Sequence, residues 1–298
     1  MNSLLAGGKP ASRRKEIAGL TEKVRLPFRS RAWRGSSGAW QGRSQGSSID
    51  FQDHREYAPG DDPRYLDWAA YARTNSYIMK LFREEVSPRL DVVLDGSRSM
   101  VLTSEKEARS LDLLALVLGT ALHDGISVRI YLAHSVGRWR RLDTAAALAL
   151  EAMPEFGFTG DKVKAAQLPL AEIPWRAGSL RVLISDLLVP QPPERELASL
   201  SREHGRIVLL APYLEREANP DWRGNLELHD CETKQVRQQR VEPFLLSRYQ
   251  KNYRRHFEIW QEEARRRAVP FARISCELSL SVAVRQQALP AGAFEVRH

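Results

Sequence analysis

Three short stretches of the chain carry acidic and hydroxyl side chains of the kind that hold a cation. The first is Asp95–Ser99, in which one carboxyl and two hydroxyl groups alternate along Asp-Gly-Ser-Arg-Ser. The second supplies Thr159, within Gly-Phe-Thr-Gly-Asp, and the third supplies Asp186, within Ser-Asp. Hard oxygen ligands suit Mg²⁺, which prefers octahedral oxygen coordination and keeps several waters. These residue types predict a magnesium site wherever the fold brings the three stretches together.

Two of the stretches directly follow predicted buried strands. Residues 90–94 form a short apolar strand that runs into Asp95, and residues 180–184 form another that runs into Ser185 and Asp186. Open α/β sheets bind ligands at the carboxyl ends of their strands. We therefore expect Asp95 and Asp186 at one edge of a sheet, on neighbouring strands.

From residue 77 onward, strand-like and helix-like segments alternate, which is typical of a mostly parallel sheet with helices on both faces. Strands are predicted at 77–82, 90–94, 128–133, 138–142, 180–184, 207–210, 225–228, 236–241 and 271–275. Helices are predicted at 104–123, 144–152, 194–204, 243–267 and 278–287. The predicted fold class is α/β, an open twisted sheet of about six strands.

The three stretches together resemble the metal-ion-dependent adhesion site of von Willebrand factor A domains. That site has Asp-x-Ser-x-Ser on a first loop, Thr on a second and Asp on a third. The resemblance implies a Rossmann-like domain in which Ser97, Ser99 and Thr159 ligate Mg²⁺, or alternatively Mn²⁺ or Ca²⁺, while Asp95 and Asp186 act mainly through bound waters. It also implies that a Glu or Asp of a partner protein fills the open coordination position. The residues alone leave another interpretation open, in which the two serines only cap the next helix and Asp186 is an ordinary strand-end residue.

A second motif lies upstream, at residues 51–68 (FQDHREYAPGDDPRYLDW) with Ala72 and Arg73. It resembles the signature of the bacterial domain-of-unknown-function family fifty-eight, whose members carry a von Willebrand A-like domain and are commonly encoded beside MoxR-type AAA+ ATPases. The two resemblances cover about residues 42–212, in the family's order. They imply a MoxR-type ATPase partner in protein maturation or complex assembly. Many relatives have two membrane-spanning helices ahead of the signature, where this chain has a basic stretch.

The signature residues allow two interpretations. Pro59–Pro63 forms a turn, and arginines on either side can pair with its aspartates in planar, bidentate fashion. The segment is then either a structural clasp that packs on the sheet or a docking surface beside the metal. The residues concerned are Arg55, Tyr57, Gly60, Asp61, Asp62, Arg64, Asp67, Trp68 and Arg73.

Charge is unevenly distributed along the chain, whose formal net charge is +8. Residues 1–45 hold ten basic and two acidic residues, and a Gly/Ser-rich stretch lies at 34–48. We expect a basic, partly disordered leader and connector at 1–48, the signature segment at 49–88, and the von Willebrand A-like domain with a C-terminal helical extension at 89–290, so that ordered structure begins near Ile49. The alternative function is a nucleic-acid or anionic-surface binder that uses this leader.

Several classes of protein lack support in the sequence. The Gly-Lys pair at Gly8 is followed by Pro10, so no Walker A loop is present, and His-Glu-x-x-His is absent. Two cysteines cannot form a disulfide-rich scaffold. The longest apolar run, 113–122, is too short to span a membrane, so we expect a cytoplasmic protein. We expect a non-enzymatic, Mg²⁺-dependent protein-interaction module; a Mg²⁺-dependent phosphohydrolase that uses Asp95 and Asp186 is the weaker alternative.

Overall fold

A computed structural model of the chain describes residues 10–28, 51–59, 61–82, 88–134, 137–150, 152–153, 168–233 and 235–297. The strands are β1 (Val24–Arg25), β2 (Phe51–Glu56), β3 (Ile78–Phe82), β4 (Arg89–Asp95), β5 (Ser127–His134), β6 (Arg138–Leu142), β7 (Leu180–Ile184), β8 (Arg206–Tyr213), β9 (Gly224–His229), β10 (Val236–Val241), β11 (Phe271–Ser275) and β12 (Glu295–Val296). The helices are α1 (Pro10–Thr21), α2 (Trp68–Thr74), α3 (Ser104–His123), α4 (Thr144–Leu148), α5 (Pro193–Ser201), α6 (Glu215–Ala218), α7 (Pro243–Arg266) and α8 (Leu280–Ala283). They belong to two compact units, Met1–Arg29 with Pro88–His298, and Ser30–Ser87.

Within the described residues of the larger unit, six strands form one sheet in the order β11-β8-β7-β4-β5-β6. All neighbours are parallel except β6, which returns antiparallel to β5 after a turn at Gly137. The prediction of a mostly parallel α/β sheet is therefore confirmed. The central strands β4 and β7 are mostly apolar, and all of their residues except Arg89 are buried, as is typical of parallel strands covered on both faces.

Helix α3 covers one face of this sheet and lies against β4, β7 and β8. It begins after Thr103, whose Oγ1 accepts a hydrogen bond from the backbone N–H of Lys106 at 3.3 Å. The helix ends before Gly125, whose φ of +66° takes the chain out of the helical conformation. Three residues of the helix are fully buried: Leu113, Leu114 and Val117. Lys106, in the first turn of α3, contacts Asp186 just after β7, so the helix starts near the carboxyl end of that strand.

Helices α5 and α7 cover the opposite face. Leu197 and Leu200 of α5 pack with Phe257 and Trp260 of α7 over inward-facing residues of the strands, including Val93. Trp260 is completely buried. Helices thus flank the sheet on both sides, as the alternating sequence pattern predicts.

The N-terminal stretch differs from the expectation. Helix α1 packs against α3 and α8, and β1 pairs antiparallel with β12, so residues 10–28 belong to the larger unit. Arg13 forms an ion pair with Asp112 at 2.6 Å, and Arg25 pairs with Glu295 at 3.1 Å. The prediction that ordered structure begins near Ile49 is therefore wrong. Arg13 and Arg25, two cations of the predicted leader, thus form ion pairs within the larger unit. Residues 29–50, which include the predicted Gly/Ser-rich connector, lie outside the described residues.

The smaller unit contains the β2–β3 hairpin and α2. The strands pair antiparallel, with a register shift between Phe51 and Asp53. Asp67 begins α2 by accepting hydrogen bonds from the backbone N–H groups of Ala69 and Ala70, both at 3.0 Å. The helix ends at Asn75 in the left-handed conformation, with φ of +54°.

Candidate functional site

Strand register places Asp95 beside Ser185. Strands β4 and β7 run parallel with Leu94 opposite Ile184, so the next residues of each strand are also level. Ser185 Oγ donates a hydrogen bond to Asp95 Oδ2 at 2.6 Å. Both residues are buried, at 1% and 0% relative exposure. The carboxyl ends of the two strands therefore meet, as the sequence predicts.

The loop after β4 folds back on Asp95. The backbone N–H of Ser97 donates to Asp95 Oδ1 at 2.9 Å, and the Oγ atoms of Ser97 and Ser99 lie 3.1 Å apart. Gly96 is tightly enclosed, because a Cβ there would lie 3.1 Å from Leu132 Cδ1. A 3₁₀ turn follows at Arg98–Val101. The loop thus brings one carboxylate and two hydroxyl groups together.

Asp186 lies one residue beyond Ser185, in a constrained loop. Its Oδ1 accepts a hydrogen bond from the Leu188 N–H at 3.0 Å, and its own N–H points to Met100 Sδ at 3.2 Å. Leu187 has φ of +58°, which is unfavourable for a residue with a Cβ. Its N–H donates to Ser185 Oγ at 3.1 Å, and its carbonyl oxygen is 2.8 Å from His256 Nε2. Strain of this kind persists where surrounding contacts fix the backbone, and it clusters at functional sites.

Lys106 adds a cation that the sequence analysis did not include in the site. From the first turn of α3, its Nζ donates to Asp186 Oδ2 and to Glu217 Oε1, each at 2.7 Å, and the residue has no exposed surface. Burial lowers the pKa of Lys106, but Asp186 and Glu217 outweigh burial and raise that pKa above its usual value. The ammonium group therefore stays charged. The sequence did contain one signal for this residue. A lysine in the first turn of a helix is unusual, because the helix dipole favours acidic residues there.

Asp95 has the opposite environment. Burial raises the pKa of Asp95, the nearby charge of Asp186 raises it further, and hydrogen bonds from Ser185 and Ser97 only partly compensate, so that the pKa reaches about 7. The carboxyl group is thus buried next to another negative charge. A bound divalent cation would favour the ionised form of Asp95.

The donor set fits Mg²⁺. It comprises two carboxyl groups and two hydroxyl groups, all oxygen, at the meeting point of two strand ends. No cluster of three or more His, Cys, Asp or Glu side chains suitable for a metal occurs within the described residues. Thr159, the remaining predicted ligand, lies outside the described residues. The structure therefore brings together Asp95, Ser97, Ser99 and Asp186.

The signature residues form ion pairs within their own unit. Arg55 binds both oxygens of Asp61, at 2.7 and 2.6 Å, and Arg64 binds Asp62 at 2.6 Å. The Arg55 contact and a backbone N–H lower the pKa of Asp61 to about 2.

Asp67 instead pairs with His54 Nε2 at 2.9 Å and caps α2, and Arg73 donates to the carbonyl oxygen of Ala69 at 3.2 Å. Trp68 is 60% exposed and packs edge-on to Tyr71. The ring centroids of Tyr57 and Tyr77 are 6.3 Å apart. Gly60 lies outside the described residues. These contacts lie within the smaller unit.

In the part of the chain that the structure describes, no helix is both long and apolar enough to cross a lipid bilayer.

Solved structures share low sequence identity with this chain. One is the crystal structure of a conserved hypothetical protein, BatB, from Bacteroides thetaiotaomicron, with 13% identity, a TM-score of 0.29, and coverage of 60% of this chain and 98% of that one. Another is an aerotolerance-related membrane protein from Bacteroides fragilis, carrying multiple mutations to serine, with 15% identity, a TM-score of 0.29, and coverage of 55% and 87%. No curated protein matches the chain.

The family comparison covers both the signature and the site. The family model described as "Protein of unknown function DUF58" matches residues 53–259, more than half of the chain. That range includes residues 53–68 of the signature, the loop after β4 and the loop after β7. The chain is thus a member of the DUF58 family.

Proposed function

We propose that this protein is a non-enzymatic protein-interaction module of the von Willebrand A type, in which a bound Mg²⁺ recognises an acidic side chain of a partner. The observation that carries this proposal is the convergence of Asp95, Ser97, Ser99 and Asp186 at the carboxyl ends of β4 and β7. Hydroxyl ligands leave the charge of a metal largely uncompensated. Such a metal is a good acceptor for a carboxylate from outside.

The electrostatics favour binding over turnover. Lys106 already forms an ion pair with Asp186 at 2.7 Å, so that carboxylate is held in place rather than free to act as a base or nucleophile. In the proposed site, Ser97 and Ser99 contact the metal through their hydroxyl groups, and Asp95 contributes charge. Lys106 orients Asp186.

Exposed apolar side chains on both loops support a docking role. Val101 and Leu102, after the first loop, are 39% and 63% exposed, and Leu188, on the second, is 40% exposed. Apolar surface around a polar centre is typical of protein-interaction sites. We propose a partner that offers an acidic residue surrounded by apolar ones. Family resemblance suggests a MoxR-type AAA+ ATPase, acting with this protein in complex assembly.

Calorimetric titration with Mg²⁺ tests the metal site. Replacing both hydroxyls, in Ser97→Ala with Ser99→Ala, should lower Mg²⁺ affinity at least tenfold and leave the circular dichroism spectrum unchanged. The control is Ser199→Ala, which removes an exposed hydroxyl of α5 that bonds within its own helix. Equal affinity in the double variant and the control, or no Mg²⁺ binding by the wild type, would refute the proposal.

The partner is tested separately, by affinity capture followed by mass spectrometry. Wild-type protein in Mg²⁺ should capture a MoxR-type ATPase, and EDTA or the double serine variant should prevent the capture. Capture that is unaffected by EDTA and by the double serine variant would show that the partner docks away from the metal loops.

A further inference from the structure

The β9–β10 hairpin has an unusual burial pattern. Most residues of its two strands are exposed, whereas Cys231, Glu232 and Thr233 in its turn are half-buried. Hairpin turns ordinarily extend into solvent. The turn of this hairpin therefore packs against another part of the larger unit.

The turn contacts the loop that follows β4. Glu232 Oε1 accepts a hydrogen bond from the backbone N–H of Ser99 at 2.9 Å, and the carbonyl oxygen of Glu232 accepts one from Arg98 Nη1 at 3.2 Å. The Glu232 charge also acts on His134, at the end of β5. A carboxylate from a segment far along the chain is thus held on a residue of the proposed metal loop.

The turn is organised to present Glu232 in this position. Asp230 Oδ1 accepts hydrogen bonds from the backbone N–H groups of both Glu232 and Thr233, each at 2.8 Å. Side-chain bonds of this kind fix a turn locally. Bonds within the hairpin therefore help to fix the geometry of residues 230–233.

The Glu232 carboxylate is anchored on the backbone N–H of Ser99, an anion-binding group that an incoming carboxylate could also use.

We propose that the tip of the β9–β10 hairpin, residues 230–233, competes with the partner protein for the loop that follows β4. Glu232 occupies the Ser99 N–H, which the acidic side chain of a partner would bind together with the metal, so the tip must be displaced before the partner docks. This inference rests on the proposed function, because it assigns a regulatory element to the same loop. It makes partner binding depend on opening of the hairpin.

The test uses acetate as a minimal carboxylate and follows the Ser99 amide by NMR in the full-length protein, with and without Mg²⁺. Glu232→Ala should lower the half-saturating acetate concentration at least tenfold and speed amide exchange at Ser99 at least tenfold. Glu232→Gln removes the charge but keeps an oxygen acceptor, so it should behave more like the wild type. The matched control is Glu227→Ala, which removes a carboxylate from the exposed part of the same hairpin, where it contacts His229.

Three results would overturn the proposal. Equal acetate binding by wild type and Glu232→Ala would show that Glu232 does not compete. Equal effects of the Ala and Gln variants would show charge repulsion rather than occupancy of the N–H group. Unchanged Ser99 exchange in Glu232→Ala would show that the contact is not maintained in solution. Failure of the proposed function would be seen independently, as absent Mg²⁺ binding in calorimetry, while acetate competition is still measured in metal-free buffer.

Discussion

At the residue scale, two aspartates that look equivalent in the sequence have opposite charge environments. Asp186 is paired with the Lys106 ammonium at 2.7 Å. Burial and the nearby charge of Asp186, by contrast, raise the pKa of Asp95 to about 7. Asp95 is therefore the carboxyl group whose ionised form gains most from an added cation.

Replacing Lys106 tests this division of roles. Lys106→Met keeps much of the volume but leaves Asp186 and Glu217 without their shared cation in a buried position. We expect the free energy of unfolding to fall by about 3–5 kcal/mol, because breaking a buried ion pair leaves an uncompensated charge. Urea denaturation measures the change, and Lys251→Met, on the exposed face of α7, is the control. A loss below about 1 kcal/mol, the usual value of an exposed pair, would contradict the role of Lys106.

At the element scale, β7 has a buried cation in the strand itself. Arg181 is completely buried, lies 4.6 Å from the Trp175 ring centroid and donates to the carbonyl oxygen of Leu200 at 2.7 Å. The guanidinium group fits because Gly205, just before β8, has no side chain. A Cβ at that position would overlap the Arg181 guanidinium. The packing of the buried Arg181 side chain therefore depends on a glycine outside the site.

Two glycine substitutions should have opposite effects. Gly205→Ala should lower the free energy of unfolding by about 1–3 kcal/mol, because the methyl group forces the buried arginine to move. A Cβ at Gly19, in α1, would meet no atom within 4 Å. Gly19→Ala should therefore raise the free energy of unfolding by about 0.5–1 kcal/mol, because alanine has the higher helix propensity. Thermal and urea unfolding of both variants distinguish the effects. A neutral Gly205→Ala would show that Arg181 can rearrange freely.

At the scale of the whole molecule, segments from the two ends of the sequence pack together in the larger unit. The strand pair β1–β12 joins residue 24 to residue 296, and the backbone N–H of Arg297 donates to the Lys23 carbonyl oxygen at 2.8 Å. Val24 and Leu26 are 3% and 2% exposed. The basic N-terminal stretch therefore contributes to the core as well as to the charge.

Deleting residues 1–28 should consequently destabilise the protein. The loss of two buried side chains alone predicts roughly 3–6 kcal/mol, which differential scanning calorimetry would record as a lower Tm. The control, Lys15→Gln with Lys23→Gln, removes exposed charges of the same stretch and should leave Tm nearly unchanged. An unchanged Tm after deletion would mean that these contacts do not stabilise the fold. Tests of anion binding by the leader should therefore use charge substitutions rather than truncation.

The sequence by itself determined the α/β class, the boundaries of most central strands and helices, and the expectation that Asp95 and Asp186 lie at one edge. Local periodicity and composition carry that information, because burial on both faces selects apolar strands and amphipathic faces select helices. The family signature was also recognisable from the order of residues.

Only the tertiary structure decided which distant groups meet. The contacts of Lys106 with Asp186, Glu232 with Ser99, and α1 with α3 join residues far apart in the chain. The packing of distant elements brings such groups together, and a local pattern does not specify which side chains of those elements meet. The charge state of Asp95 likewise depends on burial and on neighbours contributed by another strand, which is why its residue type alone could not reveal it.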